Sequence, residues 1–308
     1  MGKSVDVMDL GTNTFHLLIA EGNGSNPNIL FQTTNPTKLG EGGINKGLIL
    51  PAAYERGVKA MQEFSNEISK HNLSTIKAIA TSALRSAGNG QAFIDEVKAT
   101  SGISIETIDG NEEARYIYNG VKAGGCLSNQ NSLIIDIGGG SVEFILGNED
   151  SILWKQSFEI GAARLMDKFH QADPITPEAI NELNAYLEKR LSDMFAGVKG
   201  YQINNLIGSS GAFETFAEVI EAKNGNLFDI RKVKHYTFNG EDLISITDQL
   251  ITSSHEERAN DKSIIPVRVD MIVVASLVTR FVMNKLNINN VVMSTNSLKE
   301  GIVADLLR

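Results

Sequence analysis

Residues 133–146 read LIIDIGGGSVEFIL, which is an apolar strand, a glycine-rich turn and a second apolar strand. Residues 5–19, VDVMDLGTNTFHLLI, repeat this pattern. When the two hairpins are superimposed, Asp9 falls on Asp136, a separation of 127 residues. The two copies are weakly identical but agree in pattern, and such a long-period repeat predicts a duplicated domain.

Segments of strand and helix alternate on both sides of these hairpins. The spacing of apolar residues predicts further strands at 29–33, 76–80, 103–108, 152–158, 205–207 and 290–293, and helices at 51–68, 92–97, from 111, 177–195, 212–220, 267–286 and 298–307. This alternation is typical of an α/β protein. The length of 308 residues suits two domains. We place them at 1–120 and 121–308, and we expect the closing helix, at about 297–308, to pack back onto the first.

The composition is that of a soluble globular chain. Hydrophobic residues make up 42% of it and charged residues 21%, so each half can bury a core. The formal net charge of −9 gives no general attraction for nucleic acid, although local arginines or a divalent cation can still bind a polyanion. The chain has one cysteine, no signal-peptide-like start and no apolar run long enough to span a bilayer. We therefore expect a cytoplasmic protein that binds neither nucleic acid nor membranes.

The glycine turns of the two hairpins have the composition of phosphate-binding loops. Glycine permits positive φ and lets a ligand approach backbone N–H groups, and a serine or threonine hydroxyl adds another donor. A hairpin turn without a ligand is the alternative, but an aspartate two residues before the first glycine of each turn disfavours it. A third turn, at a helix N-terminus, is either an anion site or an ordinary capped turn. The predicted phosphate-binding residues are Gly11, Thr12, Asn13, Thr14, Gly138, Gly139, Gly140 and Ser141 in the hairpins, and Ser209, Ser210 and Gly211 in the third turn.

Three carboxylates accompany the hairpin turns. Asp9 and Asp136 end apolar strands, where a carboxylate is costly unless it is paired or binds a metal. Glu143 follows the second turn, and the hairpin can bring it beside Asp136. Mg²⁺ bound to phosphates uses one or two protein carboxylates and keeps several waters. Asp9, Asp136 and Glu143 are therefore candidate Mg²⁺ ligands, with turn stabilisation as the alternative for the aspartates.

Arginines and a pair of glutamates complete the candidate chemistry. Arg85 follows a strand and a Thr-Ser turn, and its guanidinium could bind phosphate oxygens, although a surface ion pair is the usual role of a single arginine. Glu112 and Glu113 begin a helix, where spacing alone indicates favourable interaction with the helix dipole rather than catalysis. The sequence contains no P-loop, HExxH, paired CxxC or GxSxG motif.

Seven stretches, in order along the chain, resemble the Ppx/GppA phosphatase family of exopolyphosphatases and guanosine pentaphosphate phosphohydrolases. They are VMDLGTNTFHLL at 7–18, ATSALR at 80–85, GNEEAR at 110–115, IDIGGGSVE at 135–143, IGAARL at 160–165, GSSG at 208–211 and LKEG at 298–301. The resemblance implies an actin/Hsp70/sugar-kinase-like fold, in which two ribonuclease-H-like domains flank an active-site cleft. That expectation agrees with the repeat.

The resemblance also implies roles for individual residues. Glu113 matches the family's catalytic base, which activates the water that attacks the terminal phosphorus. Arg85 matches the arginine that engages the phosphate chain. Asp136 and Glu143 match the magnesium-site carboxylates, and the glycine turns with Ser141 match the phosphate-binding loops.

The sequence departs from the family pattern in three places. Its 308 residues contain no match to the C-terminal helical domain of the longer members, so we expect the short two-domain type. The closing motif, STNSLKEG at 294–301, has Lys299 where the family more often has arginine, and it has no aspartate near its start. Residues 264–270 keep Arg268 and Asp270 but not the usual glycine and alanine neighbours.

The sequence thus predicts a phosphoanhydride hydrolase that releases phosphate from the end of inorganic polyphosphate with the help of Mg²⁺. Hydrolysis of guanosine pentaphosphate is the nearest alternative. A non-hydrolytic sensor of the same fold, binding nucleotide or polyphosphate, is the second, and an actin-like polymerising role is the least favoured. Dimers are common among homo-oligomers, so a homodimer is a further expectation, although no residue identifies an interface.

Overall fold

The computed structural model describes residues 3–22 and 27–308 of the chain. These residues form two compact units. Unit 1 contains the chain up to Ala123 together with Leu298–Arg308, and unit 2 contains Gly124–Ser297. The sequence predicts the boundary at 120/121 and the packing of the closing helix onto the first domain.

Unit 1 is built on a five-stranded mixed sheet. Its elements are β1 (Lys3–Leu10), β2 (Phe15–Gly22), β3 (Asn28–Asn35), α1 (Pro51–Ile68), β4 (Thr75–Ala80), α2 (Ser82–Ser86), α3 (Gly90–Ser101), β5 (Ile105–Thr107), α4 (Gly110–Ala123) and the last helix of the chain, α12 (Leu298–Leu306). The strands lie in the order β3-β2-β1-β4-β5. The first three are antiparallel, and β4 and β5 run parallel to β1.

Unit 2 repeats this plan with one additional strand. Its elements are β6 (Ser132–Ile137), β7 (Val142–Gly147), β8 (Ile152–Phe158), α5 (Ala162–Phe169), α6 (Pro177–Arg190), α7 (Ser192–Val198), β9 (Asn205–Ser209), α8 (Gly211–Lys223), β10 (His235–Thr237), α9 (Gly240–Thr252), α10 (His255–Asn260), α11 (Met271–Leu286) and β11 (Val291–Ser294). The strands lie in the order β10-β11-β9-β6-β7-β8. Strands β6 to β8 are antiparallel, β9 and β11 continue the sheet in parallel, and β10 adds an antiparallel edge.

Both sheets therefore place their first five strands in the same order, 3-2-1-4-5, when β10 is set aside. In each unit the glycine turn joins the first strand to the second. This shared order confirms the α/β class and the prediction of two ribonuclease-H-like domains, as in actin/Hsp70-like folds.

Local sequence explains where several elements begin and end. Helix α1 begins with Pro51. Proline suits the first helical position because a backbone N–H there would have no acceptor within the helix, so nothing is lost by its absence. Gly102 follows the last residue of α3, and its φ of 75° is the left-handed conformation found at many helix ends. Strands β6 and β7 are buried along their whole length, and Asp136 and Glu143 are their only charged residues.

Two predicted helices differ from the observed ones by a break or a later start, and the helices predicted at 92–97 and 212–220 extend further, over Gly90–Ser101 and Gly211–Lys223. The predicted helix 177–195 is two helices, α6 and α7, that meet at Leu191. The predicted helix 267–286 begins at Met271, because the preceding residues form turns in which the Arg268 amide bonds to Ile265 O. In the described ranges, no helix is long and apolar enough to cross a membrane.

A carboxyl group lies inside unit 1 without a hydrogen-bond partner. Asp6, in the middle of β1, has no exposed surface, and neither of its side-chain oxygens is hydrogen-bonded. Burial disfavours the charged form and raises the pKa of Asp6 from 3.8 to about 8. At neutral pH the native protein therefore holds a proton that the unfolded chain has lost.

We expect Asp6→Asn to remove a pH dependence of stability. For the wild type, the stabilising effect of the bound proton is complete below pH 3.8 and is lost as the pH rises to about 8. The free energy of unfolding should fall by roughly 1 kcal/mol per pH unit within that window, relative to Asp6→Asn. Urea unfolding at pH 5, 6.5 and 8 measures this difference. The exposed Asp95→Asn is the control, and parallel pH profiles for wild type and Asp6→Asn would contradict the prediction.

Candidate active site

The two glycine turns share a feature of backbone packing. A Cβ on Gly11 would lie 2.9 Å from Thr14 O, and one on Gly138 would lie 3.0 Å from Ser141 O. Neither glycine has a positive φ. Positive φ, one of the two reasons for glycine that the sequence offers, therefore does not apply at these two positions. In each unit the turn's own carbonyl approaches the glycine so closely that a side chain there would force the turn to shift, which is a structural counterpart of the sequence repeat.

The turn of unit 2 is fixed from behind by the start of α5. Gly161 touches it so closely that a Cβ would lie 2.4 Å from the carbonyl of Gly139. The three glycine carbonyls, of Gly138, Gly139 and Gly140, accept hydrogen bonds from Ala162 N at 2.8 Å, Ala163 N at 2.9 Å and Arg164 Nε at 2.8 Å respectively. The side chain of Arg164 thus binds the backbone of the turn. Glu159 accepts a further hydrogen bond from the same guanidinium at 2.6 Å.

Two buried carboxylates lie side by side in unit 2. Asp136 on β6 pairs in register with Glu143 on β7, and they are 7% and 1% exposed. Asp136 Oδ2 accepts hydrogen bonds from Ser209 Oγ at 2.8 Å and Ser297 Oγ at 2.5 Å. Glu143 Oε1 accepts one from Ser157 Oγ at 2.6 Å. The hydroxyls fix the orientation of both carboxylates without supplying positive charge.

This pair fits a hard divalent cation. Two neighbouring buried carboxylates repel each other when both are ionised, so a cation or a shared proton stabilises them. Among residues 3–22 and 27–308, no group of three or more His, Cys, Asp or Glu side chains is arranged to hold a metal. Mg²⁺ needs only one or two protein carboxylates beside waters and phosphate oxygens. Asp136 and Glu143 meet that requirement.

The corresponding position in unit 1 has different chemistry. Asp9, near the end of β1, pairs in register with His16 on β2. His16 in turn lies between two hydroxyls, with Nε2 at 2.9 Å from Thr14 Oγ1 and Nδ1 at 2.9 Å from Thr34 Oγ1. The cross-strand partner of the aspartate is therefore an imidazole, His16, in unit 1 and a carboxylate, Glu143, in unit 2.

Glu113 is a buried carboxylate in the first turn of α4. It is 6% exposed, and Arg85 Nη1 donates to its Oε2 at 3.0 Å. The same Arg85 nitrogen donates to Ile108 O at 3.1 Å, which fixes the guanidinium between the carboxylate and the end of the preceding segment. Glu112 points elsewhere and binds Arg115 through both carboxylate oxygens. Of the two adjacent glutamates, only Glu113 is held in the interior.

The third turn, Ser209 to Gly211, joins the end of β9 to the start of α8 through a residue with a strained backbone conformation. Ser209 ends β9, and its hydroxyl hydrogen is donated to Asp136. Ser210 has a φ of 71°, a costly conformation for serine that often marks functional sites. Gly211 begins α8 beneath the Arg268 guanidinium, which a Cβ there would approach to 2.5 Å. The Ser209 hydroxyl therefore orients the Asp136 carboxylate, and its hydrogen is not directed at a ligand.

The predicted site residues form three groups within the units. Unit 1 brings together Glu113 with Arg85, and the turn Gly11–Thr14 with Asp9; unit 2 brings together Asp136, Glu143, Ser209 and the turn Gly138–Ser141. Sequence reasoning missed the partners that orient these groups, which are His16, Thr34, Ser157 and Ser297. The repeat could have indicated His16, because it falls on Glu143, whereas a serine on a strand or loop gives no such signal.

Comparisons with known proteins show the family to which the chain belongs. Exopolyphosphatase 1 of Mycobacterium leprae is 27% identical over 96% of this chain and 87% of its own length. A crystal structure of an exopolyphosphatase from Cytophaga hutchinsonii is 37% identical, covers 99% of this chain and 98% of its own, and superposes with a TM-score of 0.95. An Aquifex aeolicus Ppx/GppA family member, 23% identical with a TM-score of 0.83, shares the fold. The model of the Ppx/GppA phosphatase family matches residues 18–308, so the chain belongs to that family.

Proposed function

We propose that the protein is an exopolyphosphatase, which hydrolyses the terminal phosphoanhydride bond of inorganic polyphosphate and releases phosphate. The observation that carries this proposal is the buried Glu113 carboxylate, oriented by Arg85 at the start of α4. Family membership and the exopolyphosphatase names of its relatives support the substrate class.

Glu113 is the proposed general base. The adjacent guanidinium of Arg85 favours the ionised carboxylate, which is the form that accepts a proton. Glu113 takes one proton from a water, the water oxygen bonds to the terminal phosphorus, and the bridging oxygen leaves with the shortened chain. Such a base typically accelerates a reaction by about 10²–10⁴-fold. Arg85 orients the base, and we propose that it also contacts the phosphate chain.

The glycine turns are the proposed phosphate-binding elements. Their N–H groups, with the hydroxyls of Thr14 and Ser141, supply donors of the kind that bind phosphate oxygens. Asp136 and Glu143 would hold Mg²⁺, which when bound neutralises charge on the phosphate chain. Asp9, the counterpart of Asp136 in the repeat, stays a predicted ligand.

We expect Asp136→Asn to weaken the response to Mg²⁺. The substitution removes one of two buried negative charges while keeping an acceptor for Ser209 and Ser297. The Mg²⁺ concentration that gives half-maximal activity should rise by at least about tenfold. Titration of activity with Mg²⁺ measures this, and Asp167→Asn, on an exposed face of α5, is the control. An unchanged Mg²⁺ response would remove Asp136 from the set of ligands.

Phosphate release by the purified protein tests the function. Long-chain polyphosphate, guanosine pentaphosphate and ATP are compared with Mg²⁺ present, and we expect the fastest release from polyphosphate. Faster release from guanosine pentaphosphate would keep the mechanism and change the substrate. Tight binding without release from any of the three would indicate a sensor and refute the hydrolase.

A further inference from the structure

A chain of three side chains connects the turn of unit 1 to its third strand. Thr34 Oγ1 on β3 lies 2.9 Å from His16 Nδ1, and His16 Nε2 lies 2.9 Å from Thr14 Oγ1 in the turn. His16 pairs in register with Thr34 on one side and with Asp9 on the other. The ring is thus held by the sheet at one nitrogen and reaches the turn with the other.

Unit 2 contains a matching row with a different central residue. Glu143, which falls on His16 in the repeat, pairs with Asp136 on one side and Ser157 on the other. Ser157 Oγ donates to Glu143 at 2.6 Å, as Thr34 contacts His16 in unit 1. A carboxylate at this position suits a cation. An imidazole adds no negative charge, and its N–H can act on the neighbouring hydroxyl, which suits an anion.

The direction of the hydrogen bonds decides what Thr14 can offer. A neutral imidazole has one N–H and one acceptor nitrogen. If Nδ1 carries the hydrogen, Nε2 accepts from Thr14, whose hydroxyl hydrogen then points at the ring. If Nε2 carries it, His16 donates to Thr14 Oγ1 and Thr34 donates to Nδ1. For the neutral ring, only this second arrangement leaves the Thr14 hydrogen available to a phosphate oxygen.

We propose that His16 is a positioning residue of the phosphate-binding turn. As the Nε2–H tautomer it fixes the Thr14 side chain and directs the Thr14 hydroxyl hydrogen at a phosphate oxygen of the substrate. The inference rests on the proposed function, because it takes the turn of unit 1 to bind phosphate.

Two substitutions separate the two contacts of the ring. The amide nitrogen of His16→Gln reaches about as far as Nε2 and can still donate to Thr14, whereas the shorter amide of His16→Asn reaches only toward Thr34. We expect His16→Asn and Thr14→Val each to raise the KM for long-chain polyphosphate about tenfold, with kcat changed less than about twofold. His16→Gln should stay within about threefold of the wild-type KM. His71→Asn, also in unit 1, is the matched control and should leave KM unchanged.

The double variant His16→Asn/Thr14→Val provides a readout that loss of structure would not reproduce. Because both changes remove the same contact, its KM should again rise about tenfold, not by the product of the two effects. A multiplicative effect, or a His16→Gln variant as impaired as His16→Asn, would overturn the proposal.

Binding of tripolyphosphate, measured by titration calorimetry, distinguishes this inference from the proposed function. If the wild type does not hydrolyse polyphosphate but binds tripolyphosphate with the same ranking of variants, the proposed function fails and the role of His16 stands. If the wild type neither hydrolyses nor binds, or if all variants bind equally, the role of His16 is wrong. Nitrogen NMR of the imidazole gives a direct check, because the bound protein should show the Nε2–H tautomer and an Nδ1–H tautomer contradicts the proposal.

Discussion

Replacing Glu113 with glutamine should lower kcat for phosphate release from polyphosphate by about 10²–10⁴-fold. Glutamine keeps the size of the side chain and an oxygen that can accept the bond from Arg85 Nη1, observed at 3.0 Å. It cannot accept a proton from water, so the substitution removes the chemistry of the base and retains its packing. KM should change little, because the proton transfer belongs to the transition state.

Glu112→Gln is the matched control for this experiment. Glu112 precedes Glu113 in the same helix turn, but its partner is Arg115 and its side chain is 37% exposed. A surface ion pair of this kind contributes at most about 1 kcal/mol, so we expect less than about a threefold change in kcat. Thermal melting of both variants tests whether they fold alike. If Glu113→Gln keeps more than about a tenth of the wild-type kcat, another group is the base.

The parts of the site that the sequence predicts are those encoded in short local patterns. An aspartate at the end of an apolar strand, followed by a glycine turn and a second apolar strand, locates both hairpins. Because the pattern occurs twice, it also predicts the repeated sheet order. Glu113 is different, since spacing alone indicates an ordinary helix start and only the family resemblance indicates the base. Its burial beside Arg85 depends on chain packing that no local pattern encodes.

The partners of the site residues depend on contacts between distant parts of the chain. Ser297 donates to Asp136 across a sequence separation of 161 residues, and nothing in its neighbourhood distinguishes it from other serines. The break between α6 and α7 cannot be predicted from the local sequence either. Leu187, Leu191 and Met194 continue one buried face through it, and no glycine or proline lies at the break. Apolar periodicity predicts the face and not the break.

The packing of α12 against α4 depends on a glycine. A Cβ on Gly301 would lie 1.8 Å from Tyr116 O and 2.9 Å from Gly120 N, both backbone atoms. Asp305 of α12 joins the same two helices, since its carboxylate accepts from Arg115 Nη1 at 2.7 Å and Asn119 Nδ2 at 3.0 Å. A side chain at position 301 therefore cannot be accommodated by a change of rotamer, and the helices must separate.

We expect Gly301→Ala to destabilise the protein by about 3 kcal/mol or more, at the upper end of overpacking effects, and to lower the melting temperature by roughly 6 °C or more. Because α4 carries Glu113, we expect a shift of this helix by about 1 Å to reduce kcat by about 10²-fold as well. Gly240→Ala is the matched control. Its Cβ would meet only Asn289 O, at an ordinary 3.5 Å, so we expect it to be neutral or slightly stabilising. Equal melting temperatures for the two variants would contradict this prediction, because they would show that α4 and α12 can separate at little cost in stability.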